Sequence, residues 1–188
     1  MPLQKEARVF VIAGLGYGDE GKGTTVDWLA RRHATGGDVV CVRYNGGAQA
    51  AHNVVLPEGT HHTFSQFGSA TLAGAATFLS SHMVVNPLTM LVESDVLAGL
   101  PHPISIGDPL SRVRVDSTAL VTTRFHVAAN RVRELAKGAR HTHGSCGMGM
   151  HETMMDYEQG RPCLAVGALR HPKRLRARLE QIQEQKYT

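Results

Sequence analysis

The sequence predicts an α/β fold, a mostly parallel sheet flanked by helices, with a phosphate-binding loop after the first strand. Residues 8–14 are a short apolar run ending in glycine, which is typical of a strand buried on both faces. A helical stripe and a second β-rich run at 39–44 follow, which makes a β-α-β unit. Residues 1–188 are expected to form a single α/β nucleotide-binding domain.

Apolar periodicity and capping residues predict the helices. The stripe of the first consists of Val26, Leu29, Ala30 and His33, and the glycines that end it are Gly36 and Gly37. Asn86 and Pro87 begin a second helix that Gly99 ends. Its inward face is expected to be Leu88, Leu91 and Val92.

The rest of the chain continues the α/β pattern. A strand is predicted at 113–115. Another helix, ending at Gly138, is predicted from the spacing of Phe125, Ala128, Val132 and Leu135. Pro172 begins a last helix, whose apolar face is Leu175, Leu179 and Ile182.

Composition and charge exclude several classes of protein. Of the 188 residues, 42% are hydrophobic, which excludes a disordered chain, and no apolar run reaches the ~18 residues of a membrane span. The first eight residues lack an apolar signal core, so secretion is not expected. The net charge of +4 belongs to residues 170–188, which hold six basic and two acidic residues. The body is therefore neutral, and nucleic-acid binding is not expected.

The cysteines indicate the compartment. Cys41, Cys146 and Cys163 are an odd, widely spaced set with no C-x-x-C pair. This pattern favours free thiols in a reducing environment. A cytoplasmic location is therefore expected.

A glycine-rich loop separates the first run from the first helix. Residues 16–22 satisfy G-x4-G-K, and Gly23 stands where a phosphate loop usually has Ser or Thr. Glycines let backbone N–H groups converge on phosphate oxygens, and the helix N-terminus and Lys22 add positive charge. Because this Ser or Thr is missing, the loop is less typical of a generic phosphate-loop NTPase.

Two carboxylates, Asp19 and Glu20, distinguish this loop from an ordinary phosphate cradle. Carboxylates beside a phosphate repel it unless a cation bridges them or one of them handles a proton. The functional interpretation is Mg²⁺ ligation and acid/base chemistry at Asp19. The alternative is a glycine-rich turn with a solvated Asp-Glu pair.

A second polar loop, residues 45–53, follows the second predicted strand. It carries four polar side chains without nearby charge partners, namely Asn45, Gln49, His52 and Asn53. His52 is suited to stabilise a developing phosphate charge or to move a proton. A histidine in a loop is more often structural or solvated, and only the neighbouring first loop favours the functional role.

The two loops together resemble adenylosuccinate synthetase. Residues 18–23 read G-D-E-G-K-G, and residues 43–52 read R-x-x-G-G-x-x-A-x-H. The family shows W-G-D-E-G-K-G-K and R-x-Q-G-G-x-N-A-G-H-T. The resemblance is strong over 8–55. It is weaker but collinear over 80–169, where residues 146–149 replace the family's R-G-I-G turn.

The resemblance implies a GTP-dependent ligation of aspartate to the 6-position of inosine monophosphate through a 6-phosphoryl intermediate. Asp19 would take the proton from purine N1 and ligate Mg²⁺, the Ala51 carbonyl would be a second metal ligand, and His52 would stabilise the transferring phosphoryl group. The implied nucleotide-binding residues are Gly18, Glu20, Gly21, Lys22, Gly23, Thr24, Gln49, Asn53, Ser145 and Arg161. The implied partners are a purine monophosphate, GTP and L-aspartate, and the family favours a homodimer.

Several positions depart from the family pattern. The replacements in the two loops are Tyr17 for Trp, Asn45 for Gln, Gln49 for Asn, Ala51 for Gly and Asn53 for Thr. The longer side chain at Gln49 leaves the identity of the 6-oxopurine nucleotide open. The threonine and arginine that meet the monophosphate in the family are absent at 143–149, where Ser145 and glycine backbone remain.

Length is the largest departure. The family's later half carries the aspartate loop and the residues that recognise guanine, and nothing in this sequence supplies them. The chain is either the N-terminal part of a longer protein or a shortened relative. An alternative function follows, a non-catalytic or incomplete module that binds nucleotide phosphates.

Two further clusters have competing interpretations. A zinc site would use His141, His143, Cys146 and His151, but their spacing matches no closed zinc site. The basic stretch 170–178 has the spacing of an ordinary amphipathic helix with a charged face.

Overall fold

The computed structural model describes residues 7–33, 39–101, 107–137 and 145–187. The helices in these ranges are α1 (Lys22–His33), α2 (Pro87–Ala98), α3 (Arg124–Lys137), α4 (Met150–Glu158) and α5 (Pro172–Tyr187). The strands are β1 (Val40–Gly46), β2 (His52–Val55), β3 (His61–Phe64), β4 (Ala76–Val85), β5 (Val113–Val115), β6 (Leu120–Val121) and β7 (Leu164–Ala165).

The main sheet has the order β1-β4-β6-β7, and β5 also pairs with β4. Strand β4 is parallel to β1, β5 and β6, whereas β6 and β7 are antiparallel. Strands β2 and β3 form a separate antiparallel hairpin. The predicted fold class, a mostly parallel sheet flanked by helices, is therefore confirmed.

The predicted first strand at 8–14 is wrong. Residues 8–14 have no strand partner within the described ranges, and Val9 and Val11 are 84% and 88% exposed. A strand exists only through hydrogen bonds to a neighbour. The segment instead contacts α1, where the ring of Phe10 stacks on that of His33 at 4.7 Å. The glycine-rich loop thus follows an extended segment, and only the helix and the second strand of the predicted β-α-β unit form.

Helix α2 has the predicted ends but not the predicted inner face. The Asn86 side chain accepts a hydrogen bond from the backbone N–H of Thr89, and Gly99 is the C-cap. However, the expected inward residues Leu88, Leu91 and Val92 are 63%, 51% and 64% exposed. The buried residues are instead Glu93, Ser94 and Leu97, because the carboxylate of Glu93 binds three backbone N–H groups of residues 65–67.

Helix α3 is also confirmed in extent but not in orientation. Its predicted stripe residues Val132 and Leu135 are 64% and 81% exposed. The buried positions are His126 and Asn130, which make side-chain hydrogen bonds to neighbouring elements. The glycines expected to end α1 and α3, at 36, 37 and 138, lie outside the described residues.

Helix α5 and the hydrophobic core agree with the sequence pattern. Ile182 is fully buried and packs with Leu175 and Leu179 against Val121 and Leu164. The strand at 113–115 is present as predicted. A second cluster forms between the hairpin and α2 and consists of Val54, Leu56, Phe64, Phe67, Leu72 and Leu97.

None of the helices described here has the length and apolarity needed to cross a membrane.

Candidate nucleotide-phosphate site

The glycine-rich loop turns sharply just before α1. Gly18, Asp19 and Gly21 have φ values of 101°, 51° and 72°, all in the left-handed region. Glycine adopts this region freely, and aspartate is among the few other residues that tolerate it. The turn brings the backbone N–H groups of residues 15 and 16 and the Lys22 ammonium around one point.

The Glu20 carboxylate occupies that point. Its Oε1 accepts hydrogen bonds from the backbone N–H groups of Leu15 at 2.9 Å and Gly16 at 2.6 Å. Its Oε2 lies 3.0 Å from Lys22 Nζ. The bond to Lys22, followed by the bond to Gly16, lowers the pKa of Glu20 below its ordinary value. An anion is thus already bound where the sequence predicts phosphate binding.

Gly23 lets α1 approach β2. A Cβ atom at Gly23 would lie 3.0 Å from the Asn53 carbonyl oxygen and 3.1 Å from the His52 Cβ. The neighbouring Thr24 hydroxyl donates a hydrogen bond to the Asn53 carbonyl oxygen at 3.2 Å. The end of the glycine-rich loop and the end of the second loop, residues 45–53, are therefore in contact. The serine or threonine usual at position 23 would not fit without movement of β2.

His52 is half-buried and begins β2, so the predicted loop at 45–53 is shorter than expected. Burial lowers the pKa of His52, and the positive charges of Arg43 and Lys22 lower it further. The imidazole is therefore held in its neutral form near pH 7. A neutral ring keeps one N–H donor and one acceptor nitrogen.

The next residue, Asn53, is committed to the hairpin. Its side-chain oxygen accepts from the Thr63 hydroxyl at 3.0 Å and is also hydrogen-bonded to His61 Nε2. Only the amide NH₂ of Asn53 remains for a ligand.

The 65–67 turn supports the second loop from behind. The Ser65 hydroxyl donates to the Ala48 carbonyl oxygen at 2.6 Å. The buried Arg43 guanidinium donates to the carbonyls of Ser65 and Phe67. Arg43 is thus a structural support of the loop, a role that the motif alone does not reveal.

Gln49 connects the second loop to the start of α4. Its side-chain amide contacts the Met150 sulfur. A Cβ atom at Gly47 would lie 2.8 Å from Gln49 Oε1 and 3.1 Å from that sulfur. The second loop therefore meets the first residue of α4, which directly follows the 145–149 turn.

Asn130 holds the 145–149 turn from α3. Its Nδ2 donates to the Ser145 hydroxyl at 2.8 Å, and its Oδ1 accepts from the Gly149 N–H at 3.1 Å. Glu134 faces the same Ser145, so a phosphate bound there would meet a carboxylate. Lys137 pairs with Glu134 at 3.0 Å, and Arg133 pairs with Glu152 of the same pocket at 2.9 Å. The sequence signal for Asn130 was available, because asparagine is a poor residue for a helix interior.

Arg161 lies apart from the loops in every contact described. Its guanidinium is 3.6 Å from the Asp156 carboxylate, and its side chain is 47% exposed. It lines a pocket with Arg178 and Gln181 of α5. Among the residues described, Arg161 has no contact with the glycine-rich loop or with the second loop at 45–53.

The predicted magnesium ligands have suitable chemistry. Among the described residues, the Asp19 carboxylate is exposed and makes no hydrogen bond or ion pair, and Ala51 adjoins His52. A carboxylate and a backbone carbonyl are the hard oxygen ligands that Mg²⁺ takes, usually with phosphate and water. In the same parts of the chain, no three His, Cys, Asp or Glu side chains cluster as a metal site. Two of the zinc candidates, His141 and His143, lie outside the described residues.

The sequence model described as adenylosuccinate synthetase matches residues 11–188. The chain belongs to the adenylosuccinate synthetase family. The synthetase of Nitrosomonas europaea is 33% identical over 179 residues, which cover 94% of this chain and 38% of that protein. The synthetase of Synechococcus sp. (strain WH7803) is 36% identical over 171 residues, or 90% and 36%. The chain thus spans a little over a third of the length of these relatives.

Solved structures agree on the fold. The fully ligated adenylosuccinate synthetase of Plasmodium falciparum superposes with a TM-score of 0.75 at 19% identity, over 90% of this chain and 37% of that one. The succinoaminodeoxyadenylate synthetase of cyanophage S-2L gives a TM-score of 0.59 at 22% identity, over 83% and 40%. That structure holds dGMP, and dATP as an energy donor.

One buried network was not foreseen from the sequence. His126 Nε2 lies 3.1 Å from the Asp156 carboxylate, and both side chains are fully buried. Lys186 of α5 contacts the same carboxylate at 2.8 Å and Glu152 at 3.3 Å. The network ties α3, α4 and α5 together directly behind the 145–149 turn. No local sequence spacing predicts it, since its members come from three helices.

Proposed function

We propose that this chain provides the phosphate-binding part of an adenylosuccinate synthetase-type site. The reaction is GTP-dependent ligation of L-aspartate to the 6-position of inosine monophosphate. The observation that carries the proposal is the contact of Gly23 with His52, which places the Lys22-bearing start of α1 beside the half-buried imidazole. A cation and a neutral donor at a helix N-terminus suit phosphoryl transfer, which depends mainly on positioning and charge stabilisation.

In the first step, the γ-phosphoryl group moves from GTP to the 6-oxygen of inosine monophosphate, and GDP leaves. The carboxylate of Asp19 accepts the proton of purine N1, so the 6-oxygen carries the negative charge that attacks phosphorus. Lys22 and the backbone N–H groups at the start of α1 hold the phosphates. The neutral His52 donates its ring N–H to the transferring group.

In the second step, the amine of aspartate bonds to C6 while the bond from C6 to the phosphorylated oxygen breaks. Inorganic phosphate leaves and the amine loses a proton. Mg²⁺ held through Asp19 and the Ala51 carbonyl would neutralise charge on the phosphates.

Turnover tests this proposal. The protein is mixed with inosine monophosphate, GTP, Mg²⁺ and aspartate, and phosphate release and the purine absorbance are followed. Wild type should release phosphate and shift the absorbance, and Asp19→Asn should not. Equal behaviour of wild type and Asp19→Asn would contradict it. Because a phage relative holds dGMP and dATP, a parallel reaction with that pair tests the nucleotide identity left open by Gln49.

A second candidate is a module that binds nucleotide phosphates without turnover. It is favoured by the length of the chain, which spans 38% of its relatives. This candidate predicts calorimetric binding of GTP that weakens at least tenfold in Lys22→Ala, with no phosphate release in the complete mixture. Absence of binding at millimolar nucleotide would count against both candidates.

Thiol alkylation tests the monophosphate part of the proposal. Cys146 is exposed and follows Ser145, whereas Cys41 and Cys163 are partly buried. Burial also raises the pKa of the Cys41 and Cys163 thiols, which slows their alkylation. Inosine monophosphate should slow alkylation of Cys146 but not of Cys163, as read by peptide mass spectrometry. Equal rates with and without the nucleotide would remove Ser145 from the site.

A further inference from the structure

Three donors of the glycine-rich loop converge on one carboxylate rather than on solvent. The N–H groups of Leu15 and Gly16 and the Lys22 ammonium lie within 3.0 Å of the Glu20 oxygens. The Lys22 ammonium is also the group assigned to the nucleotide phosphates, and the N–H groups of Leu15 and Gly16 are further donors that a polyphosphate in this loop can use. Carboxylate and phosphate therefore compete for Lys22 and for the donors around it.

The fit of Glu20 depends on the glycine opposite it. A Cβ atom at Gly14 would lie 2.0 Å from Glu20 Oε2 and 2.7 Å from Lys22 Nζ. The missing side chain thus leaves the volume that the carboxylate fills. Asp19, the adjacent carboxylate, makes none of these contacts.

We infer that Glu20 is an internal anion that occupies the phosphate nest, the donors of Leu15, Gly16 and Lys22, and must withdraw before a nucleotide polyphosphate enters. This inference rests on the proposed function and specifies how its phosphate site is regulated. Glu20 keeps the loop folded and Lys22 in place while no nucleotide is bound. Its side chain is only 28% exposed but lies at the surface, so rotation about its own bonds releases the nest.

Competition of this kind reduces the affinity for every anion by the same factor, the fraction of molecules whose nest is open. Weakly bound anions such as inorganic phosphate then stay out at concentrations at which a polyphosphate enters. Neutralising Glu20 should raise the open fraction, because an amide binds N–H and ammonium donors less strongly than a carboxylate does.

Calorimetric titration with inorganic tripolyphosphate in EDTA tests the inference without metal or base recognition. Glu20→Gln should bind about tenfold more tightly than wild type, which corresponds to an open fraction of about one tenth in wild type. Glu58→Gln is the matched control, because it makes the same substitution at an exposed glutamate in the turn between β2 and β3. Its affinity for tripolyphosphate should stay close to that of wild type.

The outcomes separate this inference from the proposed function. If Glu20→Gln binds no more tightly than Glu58→Gln while Lys22→Ala weakens binding at least tenfold, the internal anion is refuted and the phosphate site remains. If neither wild type nor Glu20→Gln binds tripolyphosphate, both fail.

A second measurement keeps the inference testable if Glu20→Gln alters the loop. The Gly16 amide proton should resonate downfield in phosphate-free wild type, because its N–H donates to a carboxylate at 2.6 Å. It should move upfield in Glu20→Gln and stay in place in Glu58→Gln. An identical Gly16 shift in wild type and Glu20→Gln would overturn the inference.

Discussion

At position 23, one missing side chain allows α1 to reach the strand that carries His52. Gly23→Ser should lose about 1–3 kcal/mol of unfolding free energy, because the new side chain would overlap the backbone of His52 and Asn53. Urea denaturation measures this loss. Gly99→Ala is the control, since its Cβ would lie 3.6 Å from the nearest atom and should be tolerated. A Gly23→Ser protein as stable as wild type would contradict the close approach of the two loops.

Lys186 is the buried cation that two buried carboxylates share, so its removal leaves both of them with less compensating positive charge. Its side chain is 6% exposed and contacts Asp156 and Glu152. Lys186→Met should destabilise the fold by about 3–5 kcal/mol, the usual loss when one partner of a buried pair is removed. The exposed Lys173→Met on the same helix should change the urea midpoint little. Equal midpoints for the two variants would show that the network is not formed.

The buried His126 predicts a loss of stability in acid. Burial lowers its pKa in the folded state, against an opposing effect of Asp156, while an unfolded histidine titrates near 6.5. As the pH falls below about 6.5, protons bind the unfolded chain preferentially, and the unfolding free energy decreases. Above that pH this contribution is fully present.

The measurement compares unfolding free energies at pH 7.5 and 5.5. The decrease should be smaller in His126→Gln than in wild type, whereas the exposed His171→Gln should keep the wild-type decrease. A His126→Gln protein with the full wild-type decrease would mean that His126 titrates freely in the folded state.

At the scale of elements, β1 is an edge strand with an exposed apolar face. It pairs only with β4 among the described strands, and Val40, Val42 and Tyr44 are 54%, 57% and 64% exposed. Exposed edges of this kind favour association with other chains. Val42→Lys should therefore reduce self-association measured by light scattering, with a change of less than about 0.5 kcal/mol in stability.

Leu79→Ala on the neighbouring β4 is the comparison variant for the stability of Val42→Lys. Leu79 is fully buried, so the substitution should cost about 2–5 kcal/mol. If Val42→Lys destabilised the fold as much as Leu79→Ala, the outer face of β1 would be buried in solution.

The α2 caps and the α5 stripe predicted from the sequence were confirmed, whereas the strand at 8–14 and the inner faces of α2 and α3 were wrong. The caps at Asn86 and Gly99 and the stripe on α5 act within one element or against one neighbour. In contrast, the apolar run at 8–14 needs a neighbouring strand, and the face of α2 is chosen by Glu93 binding a distant turn. Because the side of α2 that carries Glu93 faces the protein, the apolar residues on its other side remain exposed.

At the scale of the whole molecule, the motifs predicted that the candidate loops lie together. The structure identifies the residues through which they make contact. Gly23 against His52 and Gln49 against Met150 bring the three candidate loops into one continuous set of contacts. Arg43 donates to the backbone carbonyl of Phe67, and Asn130 accepts from the backbone N–H of Gly149. No sequence spacing identifies these two partners. The placement of Arg161 beside Asp156 likewise depends on how α4 and α5 pack.

Calorimetric titration of Mg·GTP into wild type and Lys22→Ala tests the central claim, that the loop before α1 binds nucleotide phosphates. Loss of one charged hydrogen bond of about 1.5–3 kcal/mol predicts a Kd roughly ten to a hundred times higher in Lys22→Ala. Lys173→Ala, an exposed lysine of α5, should bind as wild type does. Equal affinity of wild type and Lys22→Ala for Mg·GTP would contradict the account.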